Sequence, residues 1–123
     1  MILSDKDIKQ HIEEGKIKID PIPDWSSQLG PCSLDLHLGN FFKVFKPTQC
    51  AFLDTSKKMD FEGIMQTIEI KDDQPFIMQP KDFVLAVTKE NITLPANMMG
   101  RLDGRSSLGR LGLVVHSTAA RFD

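Results

Sequence analysis

The hydrophobic pattern of the chain starts with the period of a helix. Ile8 and Ile12 lie in an otherwise polar stretch with helical spacing, so they form one apolar stripe. Ser4 is a good N-cap, and Asp7 completes a capping-box pattern. Gly15 follows two glutamates and is suited to the C-terminal cap. The pattern predicts a short amphipathic helix that covers part of a larger structure.

Beyond this helix the pattern changes to the alternation of β-strands. Residues 33–38 alternate with all three of their leucines on one face, and within residues 41–45 Phe42 and Val44 share one face while two other phenylalanines share the opposite one. Further strand candidates are residues 16–19, 66–70, 76–78, 83–88 and 92–94. Turn-forming residues separate most of them, and residues 54–63 are the best candidate for a long surface loop. Many short strands and one short helix predict a mainly β barrel or sandwich.

Length and composition limit the class of protein. The chain has 123 residues, of which 41% are hydrophobic and 26% are charged, so one globular domain is expected. The formal net charge of −2 argues against nucleic acid as a partner, because nucleic acid is bound through a basic face. No apolar run has the length of a membrane-spanning helix, so no membrane partner is expected.

The cysteines and histidines do not have the spacing of a zinc site. The two cysteines, Cys32 and Cys50, lie 18 positions apart and form no Cys-x-x-Cys motif, so the three histidines have no cysteine pair to complete a zinc-deaminase site. Isolated thiols are typical of a reducing compartment. The first residues contain no basic segment followed by a long apolar one, so no signal peptide is predicted. We therefore expect a cytoplasmic protein without a zinc cofactor.

One segment has the composition of a phosphate-binding loop. Residues 104–112, with the sequence GRSSLGRLG, contain three glycines, two serines and two arginines. Glycines allow the backbone to approach an anion closely, and arginine guanidinium groups match the geometry of phosphate oxygens. The spacing is neither that of a Walker loop nor that of a dinucleotide-binding fingerprint. On composition alone, a solvated turn with two surface arginines is an equally good interpretation.

The order of several motifs resembles that of the dCTP deaminases, which are trimeric relatives of dUTPase. The matching stretches cover almost the whole chain and are ILSDKDI at residues 2–8, GPCSLDLHLGN at 30–40, FVLAVTKE at 83–90, ITLP at 92–95, GRSSLGR at 104–110 and HSTA at 116–119. The resemblance to plain dUTPases is weaker, because those usually have Gly-Leu-Ala where this chain has residues 107–109 and lack an arginine at the position of Arg110.

The resemblance implies a fold, an assembly and an activity. The fold is the distorted dUTPase-like β-barrel or sandwich, also called a β-clip, with a short N-terminal helix. Residues 1–123 would form a single domain of this kind that lacks its C-terminal strands. The assembly is a homotrimer with sites between subunits. The activity is hydrolytic deamination of dCTP to dUTP and ammonia in pyrimidine deoxynucleotide synthesis, with Mg²⁺ accompanying the triphosphate.

The resemblance also implies roles for individual residues. The two catalytic residues would be Ser106 and Arg110, which hold the attacking water and the pyrimidine edge. The substrate-binding residues that it implies are Arg105, Ser106, Ser107, Leu108, Gly109, Arg110, Ala119 and Asp123. Within this set, Arg105 and both serines would line the triphosphate, Ala119 would pack close to the base, and Asp123 would accept a hydrogen bond from the deoxyribose 3′-hydroxyl. No metal ligand is expected among them.

The expected general base is missing from the chain. In the resembled family the catalytic glutamate lies beyond the position that matches Asp123, where this sequence ends. Glu62 and Glu90 lie in unrelated motifs and are not candidates. The sequence is therefore expected to be a product of cleavage or a piece of a longer chain. His116, which is adjacent to the predicted site, is interpreted as a hydrogen-bonded core residue.

Two alternatives stay open. A bifunctional enzyme would also hydrolyse the triphosphate, releasing dUMP and pyrophosphate. Arg121 favours the deaminase-only branch, because bifunctional relatives more often have an apolar residue at that position. The other alternative belongs to a different class, an inactive fragment that acts only as an assembly module. The mass of the intact gene product would distinguish this fragment from an enzyme.

Overall fold

A computed structural model describes residues 1–46, 54–56, 58, 61–116 and 120–123 of the chain. The helices and strands in chain order are α1 (Asp5–Glu13), β1 (Lys18–Asp20), α2 (Trp25–Gln28), β2 (Leu29–Gly30), β3 (Ser33–Leu34), β4 (Leu38–Phe45), α3 (Phe61–Ile64), β5 (Met65–Glu69), β6 (Val84–Thr88), β7 (Asn91–Thr93), β8 (Gly100–Arg101), α4 (Ser106–Gly109) and β9 (Arg121–Phe122). The prediction of a mainly β fold with a short N-terminal helix is confirmed.

The described residues fall into two compact units. The first unit contains Met1–Asp35 and Asn91–Asp123, and the second contains Leu36–Glu90. That residues 1–123 act as one domain stays a prediction.

The N-terminus of α1 is capped as its sequence predicts. The Ser4 hydroxyl accepts a hydrogen bond from the Asp7 backbone N–H at 3.3 Å, and the Asp7 carboxylate accepts from the Ser4 N–H at 3.1 Å. This reciprocal pair satisfies two backbone donors that a helix start otherwise leaves without partners. The Ser4 side-chain and backbone hydrogen bonds, in that order of size, lower the pKa of Asp7 below its ordinary value of 3.8.

The C-terminus of α1 ends on glycine. Gly15 has a φ of +71°, the left-handed conformation that glycine adopts without a Cβ penalty. Its N–H donates to Ile12 O at 3.0 Å, and the N–H of Lys16 donates to His11 O at 2.9 Å. These two bonds form a Schellman motif, so the prediction for Gly15 is confirmed.

The first unit contains three antiparallel strand pairs among its described residues. The pairs are β1 with β7, β2 with β3, and β8 with β9. Ile19 of β1 pairs with Ile92 of β7, and Ile17 and Ile19 are both buried. The core of this unit therefore lies under the β1–β7 pair, and the remaining strands are too short to bury a large apolar face.

The second unit is a three-stranded antiparallel sheet in the order β5–β4–β6. Phe42, at the centre of β4, pairs with Ile68 on one side and with Ala86 on the other. Phe42 is buried, and the ring of Phe76 stacks on it with 4.1 Å between centroids. Phe41 lies on the opposite face and is half exposed. The predicted division of the β4 phenylalanines between two faces is confirmed.

Two predicted strands differ in the structure. Residues 33–38 do not form one strand, because the backbone groups of Asp35 and His37 bond outside any strand ladder, to Gln28 and to Glu90 respectively. Residues 76–78 form no strand, and Phe76 packs its ring on Phe42 instead.

The sequence pattern predicted one helix, and the structure contains three further short helices that it did not predict. They are the one-turn helices α2, α3 and α4. Helix α3 takes up the end of the loop predicted over 54–63, while positions 57, 59 and 60 of that loop, like Cys50, lie outside the described residues. Single turns carry too few positions for a helical period to be visible in the sequence.

Candidate functional site

The glycine- and arginine-rich segment at residues 104–112 forms a single helical turn followed by a tight bend. Arg105 is the N-cap of α4, and its backbone O accepts from the N–H groups of Leu108 and Gly109 at 3.0 Å each. Arg110 continues the turn, since its N–H donates to Ser106 O at 3.0 Å. Every residue from 104 to 112 is exposed. The turn therefore presents its side chains to solvent on a locally hydrogen-bonded backbone.

The glycines at the two ends of the segment occupy positions where a side chain would clash or be strained. A Cβ added at Gly104 would lie 2.9 Å from Cγ2 of Val115, so glycine at this position leaves room for the Val115 side chain. Gly112 has a φ of +88°, where a side chain would be strained. Gly109 has open space beside it, since no atom of the residues that the structure describes lies within 4 Å of an added Cβ. The first and last glycines thus shape the segment, whereas Gly109 only leaves room beside it.

Arg105 contacts a carboxylate from another part of the first unit. Its Nη1 lies 3.4 Å from Oδ2 of Asp35, and the two side chains are 70% and 45% exposed respectively. Asp35 follows β3 in the chain and belongs to the stretch GPCSLDLHLGN. The structure thereby joins two of the sequence motifs, residues 30–40 and 104–110, through a single ion pair.

Gln28 fixes the backbone of Asp35. The Gln28 backbone O accepts from the Asp35 N–H at 2.8 Å, and the Gln28 Nε2 donates to Asp35 O at 2.9 Å. The Gln28 Oε1 accepts from the N–H of Asp24 at 2.8 Å, which ties the start of α2 to the same side chain. Gln28 is buried, and its amide uses its hydrogen-bonding capacity inside the protein. Sequence reasoning missed Gln28, because no local pattern marks a glutamine as buried.

The two predicted catalytic side chains have no internal partner among the described residues. Neither Ser106 nor Arg110 forms a side-chain hydrogen bond or ion pair there, and the same holds for Ser107. All three residues are exposed. Leu108 and Leu111 lie in the same segment and are 39% and 84% exposed respectively. The turn has the donors of an anion site, with two partly exposed leucines beside them.

Asp123 lies at the other end of a strand pair from this segment. Gly100 pairs with Phe122 and the N–H of Leu102 donates to Ala120 O, so the β8–β9 ladder runs from Asp123 at one end towards residue 104 at the other. A Cβ added at Gly100 would overlap the ring of Phe122, so glycine at this position leaves room for that ring beside β8. No hydrogen bond or ion pair joins Asp123 to Ser106 or Arg110 among the described residues, and their meeting on one substrate stays a prediction.

The predictions for Ala119 and His116 differ in what the structure says about them. Ala119 lies outside the described residues, so its position beside a base stays a prediction. His116 is half-buried, and its Nδ1 is buried with no hydrogen-bond partner among the described residues. The interpretation of His116 as a hydrogen-bonded core residue is wrong for this atom.

A buried carboxylate in the second unit has a structural role that the sequence did not reveal. The Glu90 side chain is 2% exposed, and its two oxygens bond the same residue, His37. Oε2 accepts from the His37 backbone N–H at 2.9 Å, and Oε1 lies 2.7 Å from His37 Nδ1. The N–H of Lys89 also donates to His37 O at 2.8 Å. Glu90 therefore stabilises the bend that precedes β4 and is not a free acid in a cleft.

Other possible sites in the described part of the chain are few. A cavity of about 340 Å³ in the second unit is lined by Lys43, Lys46, Glu62, Met65, Gln66 and Thr67, none of which is a predicted site residue. The described residues include no group of three or more His, Cys, Asp or Glu side chains able to hold a metal ion. Nor is any described helix both long and apolar enough to cross a membrane.

Comparison with known proteins gives one family and many close relatives. The family model described as dCTP deaminase-like matches residues 2–123. A protein of Thermomicrobium roseum named dCTP deaminase is 51% identical over 123 residues, which is 100% of this chain and 62% of that protein. A protein of Dictyoglomus thermophilum named dCTP deaminase, dUMP-forming, is 49% identical over 100% of this chain and 63% of its own length.

An archaeal relative extends the same pattern. A protein of Methanosphaera stadtmanae, also named dCTP deaminase, dUMP-forming, is 47% identical over 99% of this chain and 61% of its own length. The chain therefore spans a little under two thirds of the length of these relatives.

Proposed function

Because the chain belongs to the dCTP deaminase-like family, we propose that the protein containing it deaminates dCTP by hydrolysis. Water adds to the cytosine ring at C4, ammonia leaves, and dUTP is formed. The observation that carries this proposal is the family match over residues 2–123, which includes the exposed turn where Ser106 and Arg110 have no side-chain partner among the described residues. The activity would serve the synthesis of pyrimidine deoxynucleotides.

The triphosphate would bind along the first part of the turn. Arg105 supplies a guanidinium that is 70% exposed, and the Ser106 and Ser107 hydroxyls are exposed beside it. Guanidinium and hydroxyl donors match phosphate oxygens, and the guanidinium keeps its charge at any working pH. Leu108 and Gly109 complete the binding surface, because the absence of a side chain at Gly109 leaves open space beside the turn.

Ser106 and Arg110 would act at the reacting centre. The Ser106 hydroxyl would accept from and donate to the attacking water, which lowers the entropic cost of bringing water to C4. The Arg110 guanidinium would stabilise negative charge that develops on the ring as water adds. The general base would be a glutamate outside residues 1–123, as the resemblance implies. Asp123 would accept from the deoxyribose 3′-hydroxyl, and Ala119 would pack against the base.

A second copy of the chain would be needed to enclose the site. Electrostatic stabilisation by Arg110 is effective only where water is excluded, yet every residue from 104 to 112 is exposed. Leu108 and Leu111 are also exposed there, at 39% and 84%. A homotrimer with sites between subunits would supply the missing walls. A trimer in light scattering of the full gene product supports this arrangement, and an active monomer contradicts it.

The substrate would be the magnesium complex of dCTP. Residues 104–112 contain no carboxylate, so this turn offers the phosphates donors and offers Mg²⁺ no ligand of its own. The phosphate oxygens would hold the ion, which neutralises part of their charge. Zinc has no proposed role, because the sequence lacks the cysteine and histidine spacing of zinc deaminases. A zinc chelator used with excess Mg²⁺ should therefore leave deamination unchanged, and activity that is lost on chelation and restored by zinc contradicts the mechanism.

A bifunctional enzyme is the second candidate. The relatives from Dictyoglomus thermophilum and Methanosphaera stadtmanae are named dUMP-forming, at 49% and 47% identity, which favours this candidate. Arg121, exposed on β9, favours the deaminase-only branch. Incubating the full gene product with dCTP and separating the quenched nucleotides tests both. Accumulation of dUTP supports deamination alone, dUMP with pyrophosphate supports the bifunctional enzyme, and unchanged dCTP contradicts both.

The remaining expectations concern the molecule as a whole. A cytoplasmic location stays a prediction, supported by the exposed free thiol of Cys32. If the intact gene product ends at Asp123, no general base is present and the chain would be an assembly module. The mass of the native protein decides between that module and the enzyme.

A further inference from the structure

We propose that Asp35 is a positioning residue, whose carboxylate holds the Arg105 guanidinium in the orientation that receives a phosphate oxygen. The inference rests on the proposed function, because that function supplies the phosphate ligand. It assigns a task to the motif at residues 30–40, which the proposed roles of the turn do not use.

The two partners of this ion pair differ in how firmly they are held. The Asp35 backbone is bonded on both its N–H and its C=O by the buried Gln28, at 2.8 and 2.9 Å. Gln28 is itself bonded to the Asp24 N–H. Arg105, by contrast, reaches the carboxylate through a long side chain that is 70% exposed. The carboxylate of Asp35 is therefore held on a fixed backbone, and it restrains the flexible Arg105 side chain that bonds it.

The geometry leaves most of the guanidinium available. A single Nη1 to Oδ2 approach of 3.4 Å is recorded for the pair, and arginine carries five N–H donors in a planar fork. A phosphate can therefore bond the same guanidinium while Asp35 keeps its contact. An ion pair this exposed adds little to folding stability, so the contact is better explained by orientation than by stability.

Removing the anchor should weaken binding of a triphosphate. Without Asp35, the Arg105 side chain samples more rotamers in the free protein and loses more entropy when the ligand binds. We expect Asp35→Asn to lower the affinity of the full gene product for Mg·dCTP and for inorganic triphosphate by about threefold to tenfold in calorimetry. Asp35→Glu, which keeps the carboxylate, should be closer to the parent than Asp35→Asn.

A matched control separates orientation from general electrostatics. Removing any carboxylate near a polyanion site strengthens long-range attraction, which acts against the predicted loss. Asp103 pairs with Arg101 at 3.2 Å, is exposed, and lies close to the turn in the sequence. Asp103→Asn therefore removes the same charge near the turn without freeing Arg105, and it should not weaken triphosphate binding.

Two measurements identify the role as positioning. In an Arg105→Ala background, Asp35→Asn should cause no further loss of affinity, because the effect passes through Arg105. In the ligand-free protein, ¹⁵N relaxation of the Arg105 Nε–H group should show more motion in Asp35→Asn than in Asp103→Asn. For deamination, the loss should fall on KM, with kcat within about twofold of the parent.

The outcomes separate this inference from the proposed function. If Asp35→Asn binds triphosphate as tightly as Asp103→Asn does, the positioning role is wrong even where the parent deaminates dCTP. If the parent binds inorganic triphosphate in an Asp35-dependent way but leaves dCTP unchanged, the proposed function is wrong and the positioning role stands. If the parent binds neither Mg·dCTP nor inorganic triphosphate, both are wrong.

Discussion

The polar side chains of the turn at residues 104–112 and those of the unit that contains the β5–β4–β6 sheet differ in burial and in hydrogen bonding. In the turn, Ser106 and Arg110 are exposed and have no partner among the described residues. In the second unit, Glu90 is buried and both its oxygens bond His37. Polar side chains without internal partners can donate hydrogen bonds to a ligand, whereas buried polar side chains form their hydrogen bonds within the protein. Substitutions in the turn should therefore change turnover, and substitutions around the sheet should change stability.

The largest expected effect is in the sheet core. Phe42 is buried and stacks on Phe76, so Phe42→Ala removes a large ring and leaves a cavity. We expect the free energy of unfolding to fall by about 3–5 kcal/mol, measured by urea denaturation of the full gene product. Phe41→Ala is the matched control on the same strand, because Phe41 is 50% exposed and should cost much less. Equal losses for the two variants would show that the exposed face is also packed.

The next effect is in the turn and should leave stability alone. Arg110→Ala removes a guanidinium that no described residue uses. We expect kcat to fall by at least about a hundredfold, as for loss of a transition-state donor, with an unchanged unfolding midpoint. Lys81→Ala, which removes an exposed cation in the second unit, is the control and should keep kcat. If only KM rises in Arg110→Ala, this arginine is a phosphate ligand and its catalytic role is wrong.

A smaller loss of stability is expected where the buried carboxylate is changed. Glu90→Gln removes the negative charge: the amide can still bond the His37 N–H through its oxygen and Nδ1 through its nitrogen, but both bonds are then made to a neutral group. We expect the free energy of unfolding to fall by about 1–3 kcal/mol. Glu69→Gln on the exposed surface of β5 serves as the control and should be nearly neutral. A neutral Glu90→Gln would mean that the bend before β4 does not depend on the charge.

The smallest effect is an acid-dependent one at the N-terminal cap. Hydrogen bonds from Ser4 lower the pKa of Asp7, so folding favours the ionised carboxylate. The resulting stabilisation is present above the unfolded-state pKa and is lost as pH falls through the lower folded-state pKa. Urea denaturation at neutral pH and below pH 3.8 should therefore show a difference between parent and Asp7→Asn that shrinks on acidification.

Asp5→Asn is the control for this acid effect. It removes a first-turn charge from α1 that takes no part in the Ser4 hydrogen bonds. If Asp5→Asn shows the same loss on acidification, the effect comes from the charge at the helix start and not from the capping box.

Local chemistry made several features readable from the sequence. The capping box of Ser4 and Asp7 and the C-terminal Gly15 each depend on residues only a few positions apart, and the structure has both. The two faces of β4 follow from alternation alone. The glycine and arginine content of residues 104–112 predicted a candidate anion site. No sequence pattern predicted that this segment begins as a helical turn.

Contacts between distant residues could be decided only by the tertiary structure. Residues 33–38 alternate like a strand, yet Glu90, 53 positions from His37, takes the backbone N–H that a ladder would have used. Asp35 contacts Gln28, which precedes it by seven residues, and Arg105, which follows it much later in the chain. Only the tertiary structure places both residues beside it. A hydrogen bond or ion pair depends on distance in space, and alternation and composition carry no information about which distant residue will be near. Sequence alone therefore determined the class of fold and the candidate turn, while tertiary packing decided which polar side chains are used by the fold and which remain available to a ligand.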